Sequence, residues 1–307
     1  MSAQPHPLPE PAQPRPSSLE AWTLALRPKT LGASGVPVAV GSAVAQAQGE
    51  FHALIALVCL AVALLLQVAA NLANDAVDFV AGIDGPSRRG PQRVTQAGLI
   101  PARSVLRAAA LALGLAACAG GYLVWSGGAP ILAIGLAAIV GAVAYSAGPF
   151  PLASHALGEL AAFVFFGIVA VTGTTYLHTG SFSPLALLAS LPVASLVTNL
   201  MLTNNLRDIE SDREAGKYTL AVRLGARAMR AGYLGLLGFA YAAPLWLWGS
   251  SEAGVRIFLP WLSLPLAAPL ARELLGARTS QEFARALVGT ARLHLVYGTL
   301  LVLGLLR

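Results

Sequence analysis

Two short stretches of the chain combine amide and carboxylate side chains at a spacing that suits metal binding. The first is Asn71–Asp84 and the second is Asn204–Asp212, and each follows a long apolar run. Seven of the fourteen acidic residues lie in or beside these stretches: Asp75, Asp78, Asp84, Asp208, Glu210, Asp212 and Glu214. A carboxylate near hydrocarbon costs about 2.5–3.5 kcal/mol on insertion scales, so we expect these acids to have partners.

Helical spacing places each set of polar side chains on one face, because positions i, i+3 and i+4 are neighbours on a helix. The first face consists of Asn71, Asn74 or Asp75, and Asp78. The second consists of Asn204, Asp208 and Asp212. We expect Gly82 to end or bend the first helix, so that Asp84 turns back toward the same point.

The oxygen ligands and the nearby cations together predict a site for Mg²⁺ and a diphosphate. Mg²⁺ prefers carboxylates, water and phosphate oxygens, whereas soft metals and Ca²⁺ cages suit this set poorly. Basic residues follow both stretches and would stabilise the charge of a leaving diphosphate. They are Arg88, Arg89, Arg93, Arg207, Arg213, Lys217 and Arg223. A plainer interpretation stays open, in which Asp75, Glu210 and Glu214 are solvated at helix ends and the loop arginines only orient the chain. In the same interpretation, each of Asp78, Asp208 and Asp212 pairs with a neighbouring arginine and binds no metal.

Composition indicates an integral membrane protein. The chain is 56% hydrophobic and 11% charged, with a mean hydropathy of +0.68, against about 25% charged residues in soluble domains. We expect a disordered, Pro-rich tail over 1–18 and a single transmembrane domain over 19–307. The net charge of +6 favours membrane orientation and an anionic lipid-like substrate over nucleic acid.

Hydropathy predicts nine membrane spans of about 20 residues each. They cover approximately 31–48, 53–80, 102–126, 129–147, 157–178, 183–205, 229–249, 255–272 and 287–306. With a cytoplasmic N-terminus, 18 of the 20 Lys and Arg residues fall in or beside cytoplasmic segments, as the positive-inside rule requires. Both acidic stretches then lie on the cytoplasmic side of the cell inner membrane.

The run Asn74–Asp84 resembles the first motif of the UbiA superfamily of intramembrane aromatic prenyltransferases, and Asp208-x-x-x-Asp212 is similar to its second motif. The wider sequence resembles the branch that acts on 1,4-dihydroxy-2-naphthoate in menaquinone synthesis. That likeness includes Leu26–Leu31, Gly90–Gly98, Asn204–Asp208 and Gly216–Gly225. The resemblance covers the chain from about residue 19.

The resemblance implies an all-α bundle of nine transmembrane helices around a central cavity that opens laterally to lipid. It also implies two Mg²⁺ ions that hold a polyprenyl diphosphate. The implied metal ligands are Asn74, Asp78, Asp84, Asp208 and Asp212. The implied diphosphate contacts are Arg27, Lys29, Arg93, Asn204, Arg207, Lys217 and Arg223. The implied catalytic residues are Asp78, Asp208, Asp212, Arg207 and Lys217.

By the same resemblance, the polyprenyl group passes to 1,4-dihydroxy-2-naphthoate with loss of CO₂ and diphosphate, which gives demethylmenaquinol. Four residues are assigned to the neighbourhood of the aromatic acceptor: Asn71, Asp75, Tyr145 and Glu159. We expect no nucleic acid and no obligate protein partner. Two alternatives stay open: another acceptor, such as 4-hydroxybenzoate or homogentisate, and a cation-coupled transporter. A transporter would be expected to place its acids near the membrane midplane rather than at one face.

Overall fold

The computed structural model describes residues 16–83, 90, 93–249 and 254–306, and every regular element in this part of the chain is helical. The α-helices are α1 Ser18–Leu26, α2 Gly32–Ala47, α3 Ala53–Val80, α4 Ala102–Ala144, α5 Gly158–Thr179, α6 Pro184–Arg207, α7 Ile209–Glu214, α8 Leu220–Gly249, α9 Leu264–Gly276 and α10 Ser280–Leu305. Short 3₁₀ turns cover Pro28–Thr30, Leu152–His155 and Val255–Ser263. The middle of α5, Ala162–Val169, is a π-helix.

Six of these helices are long and apolar enough to cross a membrane: α3, α4, α5, α6, α8 and α10. The protein is therefore a multi-pass membrane protein. At 43 residues, α4 would measure about 65 Å if straight, twice the thickness of a bilayer core. Its backbone breaks at Gly128 (φ 69°, ψ −154°), which lies between the predicted third and fourth spans. The total of nine spans stays a prediction, and most of the predicted tail lies outside the described residues.

The helix α6 lies at the centre of the fold and α4 at its outside. In the most apolar 18-residue segment of α6, 72% of the residues are buried, whereas in that of α4 only 6% are buried. Tyr233 and Tyr297 are fully buried in the core beside α6. The hydroxyl groups of Tyr233 and Thr290 form a hydrogen bond of 3.0 Å, and the Tyr297 hydroxyl donates a hydrogen bond to the Ala240 carbonyl at 2.6 Å. These bonds satisfy polar groups that would otherwise destabilise the interior.

Small residues bring α5 close to its neighbours, as is common where helices pack in membranes. A Cβ at Gly41 of α2 would lie 2.5 Å from the carbonyl oxygen of Val171, so the backbones of α2 and α5 nearly touch. A Cβ at Gly167 would overlap Ala194 of α6. The α5 backbone is thus fixed on both sides, and its π-helix faces the cavity described below.

Candidate functional site

The first acidic stretch begins in the last three turns of α3, and a glycine follows the end of the helix. Gly82 has a φ of 70°, its N–H donates to the Phe79 carbonyl at 3.1 Å, and the Ile83 N–H donates to the Asp78 carbonyl at 2.9 Å. This pair of bonds is a Schellman motif, which favours glycine because of the positive φ. The expected end of the helix at Gly82 is confirmed. Asp84, Arg88 and Arg89 lie outside the described residues.

The second stretch ends in the same way. Gly216 has a φ of 71°, its N–H donates to the Arg213 carbonyl at 3.2 Å, and the Lys217 N–H donates to the Asp212 carbonyl at 2.8 Å. This Schellman motif reverses the chain at the end of α7 and directs Lys217 back toward the membrane domain.

Both stretches share a pattern that our sequence reasoning missed. Asn-x-x-(Asn/Asp)-x-x-x-Asp-x-x-x-Gly begins at Asn71 in the first stretch and at Asn205 in the second. In each case the backbone carbonyl of the last acid, Asp78 or Asp212, accepts a hydrogen bond from the N–H of the residue after the glycine. The spacing of acid and glycine was a signal of this repeat in the sequence.

The second stretch is not one continuous helix, which corrects the expectation of a single face over Asn204, Asp208 and Asp212. α6 ends at Arg207, and Asp208 has a φ of −99° and a ψ of 6°. The guanidinium of Arg207 donates two hydrogen bonds to the Asp208 carboxylate, with Nε 2.8 Å from Oδ1 and one terminal nitrogen 2.6 Å from Oδ2. The same nitrogen donates to Asn204 Oδ1 at 2.8 Å. This bidentate contact holds the side chains at the break.

Asp78 joins the two stretches. Its Oδ2 lies 2.7 Å from Lys217 Nζ and 3.0 Å from an Arg93 guanidinium nitrogen. Asn74 Nδ2 donates to the same oxygen at 3.1 Å. The side chains of Asp78, Lys217 and Arg93 are 3%, 10% and 6% exposed. Charge-assisted bonds in such a buried position are among the stronger hydrogen bonds in proteins.

Asp75 holds the loop that brings Arg93 to this cluster. The backbone N–H groups of Val94 and Thr95 each donate to the Asp75 carboxylate at 3.3 Å, and the Thr95 hydroxyl donates to it as well. Asp75 is 2% exposed, so the interpretation as a solvated acid is wrong. Its contact with the aromatic acceptor stays a prediction.

Tyr145 and Glu159 lie beside the same cluster. Tyr145 is the first residue after α4, and the hydroxyl of the next residue, Ser146, accepts a hydrogen bond from Asn74 Nδ2 at 2.9 Å. A Cβ at Gly158, the residue before Glu159, would lie 3.7 Å from the Tyr145 hydroxyl oxygen. Tyr145 therefore lies between the end of α3 and the start of α5.

Glu159 is a buried carboxylate with one anchored oxygen. It is 6% exposed, and its Oε1 accepts a hydrogen bond from Asn205 Nδ2 at 2.8 Å. Its Oε2 has no hydrogen-bond partner among the described residues. Asn71, the counterpart of Asn205 in the repeat, has a buried Nδ2 that likewise finds no partner in the described part of the chain.

The remaining predicted diphosphate contacts described by the structure are Arg27, the backbone of Lys29, and Arg223. Arg27 ends α1 in the left-handed region (φ 51°, ψ 58°), which is uncommon for a residue with a side chain and is often found at functional sites. The backbone of Lys29 lies in the adjoining 3₁₀ turn. Arg223 is exposed, and its Nε donates to the Tyr218 carbonyl at 3.3 Å, so the structure does not bring it into the cluster.

An apolar cavity of about 490 Å³ lies between α2, α3, α4 and α5. Ala70 of α3, Tyr145 and Met201 line it near the cluster, and the Tyr145 hydroxyl lies 3.3 Å from the Met201 sulfur. Phe165 and Phe166 of the π-helix form part of its wall. The cavity can hold a long apolar group whose polar end lies among the charged residues.

The donor set suits Mg²⁺ only in combination with a phosphate ligand. Its atoms are hard oxygens of carboxylates and amides. Among the described residues, no group of three His, Cys, Asp or Glu side chains could hold an ion alone. An ion there would complete its coordination with phosphate oxygens and water, as Mg²⁺ commonly does. Asp78 and Asp208 are paired with cations in this structure, so metal binding requires these cations to move.

Comparison with known sequences identifies relatives over most of the chain. The UbiA prenyltransferase family matches residues 34–296. A protein from Escherichia coli (strain K12) named 1,4-dihydroxy-2-naphthoate octaprenyltransferase is 38% identical over 224 residues, 68% of this chain and 70% of the relative. A protein of the same name from Mycobacterium tuberculosis (strain ATCC 25618 / H37Rv) is 37% identical over 280 residues, 90% of this chain and 92% of the relative.

Solved structures share the fold. A UbiA homolog from Aeropyrum pernix K1 in its apo form aligns with a TM-score of 0.69 at 17% identity, covering 89% of this chain and 97% of that one. A UbiA homolog from Archaeoglobus fulgidus bound to GPP and Mg²⁺ aligns with a TM-score of 0.61 at 15% identity, covering 92% and 99%. With the family match and the relatives above, these results show that the chain belongs to the UbiA prenyltransferase family and is a transferase.

Proposed function

We propose that this protein transfers a polyprenyl group from a polyprenyl diphosphate to 1,4-dihydroxy-2-naphthoate, releasing CO₂ and diphosphate and giving demethylmenaquinol for menaquinone synthesis. One observation supports the reaction type above all others. The Lys217–Asp78 ion pair joins two residues that are 139 positions apart, and it links the first acidic stretch to the segment directly after the second, near one end of an apolar cavity. The names of the E. coli and M. tuberculosis relatives support the acceptor.

The diphosphate would bind between the two acidic stretches together with two Mg²⁺ ions. Asn74 and Asp78 would hold one ion, Asp208 and Asp212 the other, with Asp84 and Asn204 in support. The GPP and Mg²⁺ bound to the A. fulgidus homolog support this ligand class. When bound, Mg²⁺ supplies Lewis-acid stabilisation of the leaving diphosphate.

The cations of the cluster have a second task in this proposal. Lys217 and Arg93 now neutralise Asp78, and Arg207 neutralises Asp208. If Asp78 or Asp208 held a metal instead, its cation would become available to donate hydrogen bonds to phosphate oxygens, whose negative charge increases as the donor ionises.

The apolar cavity would hold the prenyl tail and exclude water from the reacting carbon. Ionisation breaks the allylic C–O bond, and its electron pair leaves with the diphosphate. The ring carbon of the acceptor that bears the carboxylate then forms the new C–C bond. Loss of CO₂ returns an electron pair to the ring and restores its aromaticity. Tyr145 lines the cavity, and Glu159 is a buried carboxylate held by Asn205. These two residues are our candidates for contacts with the acceptor, as is Asn71.

The same proposal places the site on the cytoplasmic side of the cell inner membrane, with a cytoplasmic N-terminus and nine spans around the cavity. Both acidic stretches occupy helix ends next to most of the basic residues. Leu132 and Leu136 line the cavity and are 47% and 56% exposed on the outer face of α4. They support a lateral opening to lipid, through which a long tail can enter.

A transfer assay in lipid nanodiscs tests the function. The protein receives a polyprenyl diphosphate, Mg²⁺ and either 1,4-dihydroxy-2-naphthoate or 4-hydroxybenzoate, and products are identified by mass spectrometry together with trapped CO₂. We expect prenylated, decarboxylated naphthoquinol from the first acceptor only. Product from the second acceptor alone would overturn the assigned acceptor. No product from either, with the protein folded, would favour the transporter.

A further inference from the structure

A second cavity, which is open to the protein surface and has a partly polar lining, lies beyond the far end of the apolar cavity. It measures about 420 Å³, and its lining includes Phe51, His52, Ile55, Tyr122 and His178. His52 precedes the first residue of α3, so this cavity lies at the opposite end of α3 from the acidic stretch. Among the described residues, Leu177 of α5 is the one side chain that lines both cavities.

Leu177 belongs to a thin apolar partition. It is 9% exposed and packs in a cluster with Val38, Ile55, Cys59, Leu123 and Ile131. The α4 backbone closes the partition from one side, since a Cβ at Gly127 would lie 2.9 Å from Leu177 Cδ2. Because Leu177 lines both cavities, the partition at this point is a single side chain thick.

The length of α3 gives the depth of each cavity. Asp78 and Cys59 lie on the same helix, about 28 Å apart at 1.5 Å per residue. An extended isoprene unit contributes four chain bonds, which is about 5 Å at the advance per bond of an extended backbone. The apolar cavity therefore takes about five to six units before it meets the partition. The second cavity, near Phe51 and Ile55, lies about 35–40 Å from Asp78, at the depth of a seventh or eighth unit.

We propose that Leu177 is the floor of the prenyl cavity and a specificity-determining residue for donor length. This inference rests on the proposed function, in which the prenyl tail occupies the apolar cavity. Donors of up to about six units lie against the floor with the tail enclosed. Longer tails leave sideways past Leu132 and Leu136 into lipid. Truncation of Leu177 joins the apolar cavity to this open second cavity and lets the end of a longer tail pass into it.

The test compares kcat/KM for farnesyl, geranylgeranyl, hexaprenyl and octaprenyl diphosphates in the wild-type protein, Leu177→Ala and Leu177→Phe. Leu66→Ala is the matched control, because Leu66 lines the apolar cavity but neither the second cavity nor the lateral exit at Leu132 and Leu136. Leu177→Ala is expected to raise the octaprenyl-to-farnesyl ratio three- to tenfold, a modest change because the tail otherwise lies in lipid rather than in water. Leu177→Phe is expected to lower the hexaprenyl-to-farnesyl ratio by a similar factor, and Leu66→Ala to leave both ratios within twofold.

The outcomes separate this inference from the function on which it rests. An unchanged length profile in both Leu177 variants, with transfer intact, would refute the floor and keep the prenyltransferase. Equal shifts in Leu66→Ala and Leu177→Ala would also refute it, because any loss of cavity wall would then have the same effect. Absence of transfer from every donor in the wild-type protein would refute the proposed function itself. If Leu177→Ala does not fold, Leu177→Phe alone tests the inference, because it should favour shorter donors than the wild-type protein does.

Discussion

Replacing Lys217 by methionine should change metal binding and turnover in opposite directions. Lys217 Nζ is the nearest cation to Asp78, at 2.7 Å, and its side chain is 10% exposed. Methionine is unbranched and flexible and fills the same buried space without a charge. Asp78 keeps its contacts with Arg93 at 3.0 Å and Asn74 at 3.1 Å, so the carboxylate stays in place.

The magnitudes follow from what an arriving ion must displace. A hydrogen bond to a charged group contributes about 1.5–3 kcal/mol, and about 1.4 kcal/mol corresponds to a tenfold change in binding. Without donor substrate, Lys217→Met should therefore tighten binding of a divalent ion by about tenfold, and by no more than roughly 150-fold. During catalysis the same change removes a donor to the developing diphosphate charge, which costs about 10²–10³ in kcat/KM.

Two measurements on one preparation test this reasoning. Electron paramagnetic resonance of added Mn²⁺ reports metal binding without donor, and steady-state transfer to 1,4-dihydroxy-2-naphthoate reports turnover. Arg285→Met is the control, because Arg285 forms a 3.4 Å pair with Glu273 in which the side chains are 64% and 39% exposed. It should change neither quantity. Weaker Mn²⁺ binding in Lys217→Met, or turnover within threefold of the wild type, would show that Lys217 does not exchange between carboxylate and diphosphate.

Three further results are expected. Asp208→Asn should lower kcat/KM at least a hundredfold by steady-state assay, while the exposed Glu273→Gln should leave it unchanged; equal losses would point to a general charge effect. Removal of metal with EDTA should abolish both turnover and donor binding, and Mg²⁺ should restore both; persistent activity without metal would contradict the two-ion proposal. Thr95→Val removes the hydroxyl that donates a hydrogen bond to buried Asp75. It should lower the free energy of unfolding by about 1–3 kcal/mol, as measured by thermal unfolding. Because this loop carries Arg93, it should also raise KM for the donor, and an unchanged KM would separate the loop from the site.

Hydropathy and local chemistry predicted much of the fold. The second and sixth spans, 53–80 and 183–205, match α3 and α6 closely. The apolar run of α3 holds a single polar residue, Gln67, and the helix ends just before Gly82, while Ser183 caps α6 directly before Pro184. These signals lie within a few residues of the feature that they predict, which is why they can be read without a structure.

The arrangement of the site depended on contacts between distant residues. No glycine or proline marks the break in the helix at Asp208. The side chains there are held by the bidentate contact between Arg207 and the Asp208 carboxylate. Asp75 differs from Asp78 only by its position on the helix, yet it binds a loop whereas Asp78 binds two cations. Lys217 and Asp78 are 139 residues apart, and no spacing rule predicts their contact. The local sequence was enough to predict which residues belong to the site, but their partners are determined by tertiary packing.

The charges of the site explain why metal and donor should bind together. The central charged residues, which are Asp78, Asp208, Asp212, Arg93, Arg207 and Lys217, sum to zero at neutral pH. A diphosphate ester carries about three negative charges when fully ionised, so binding it alone would leave a large uncompensated charge in a largely buried site, which is strongly unfavourable. Mg²⁺ alone would compete with the cations already paired to Asp78 and Asp208. Each ligand therefore lowers the cost of binding the other, and a neutral cluster selects the metal–diphosphate pair over either component.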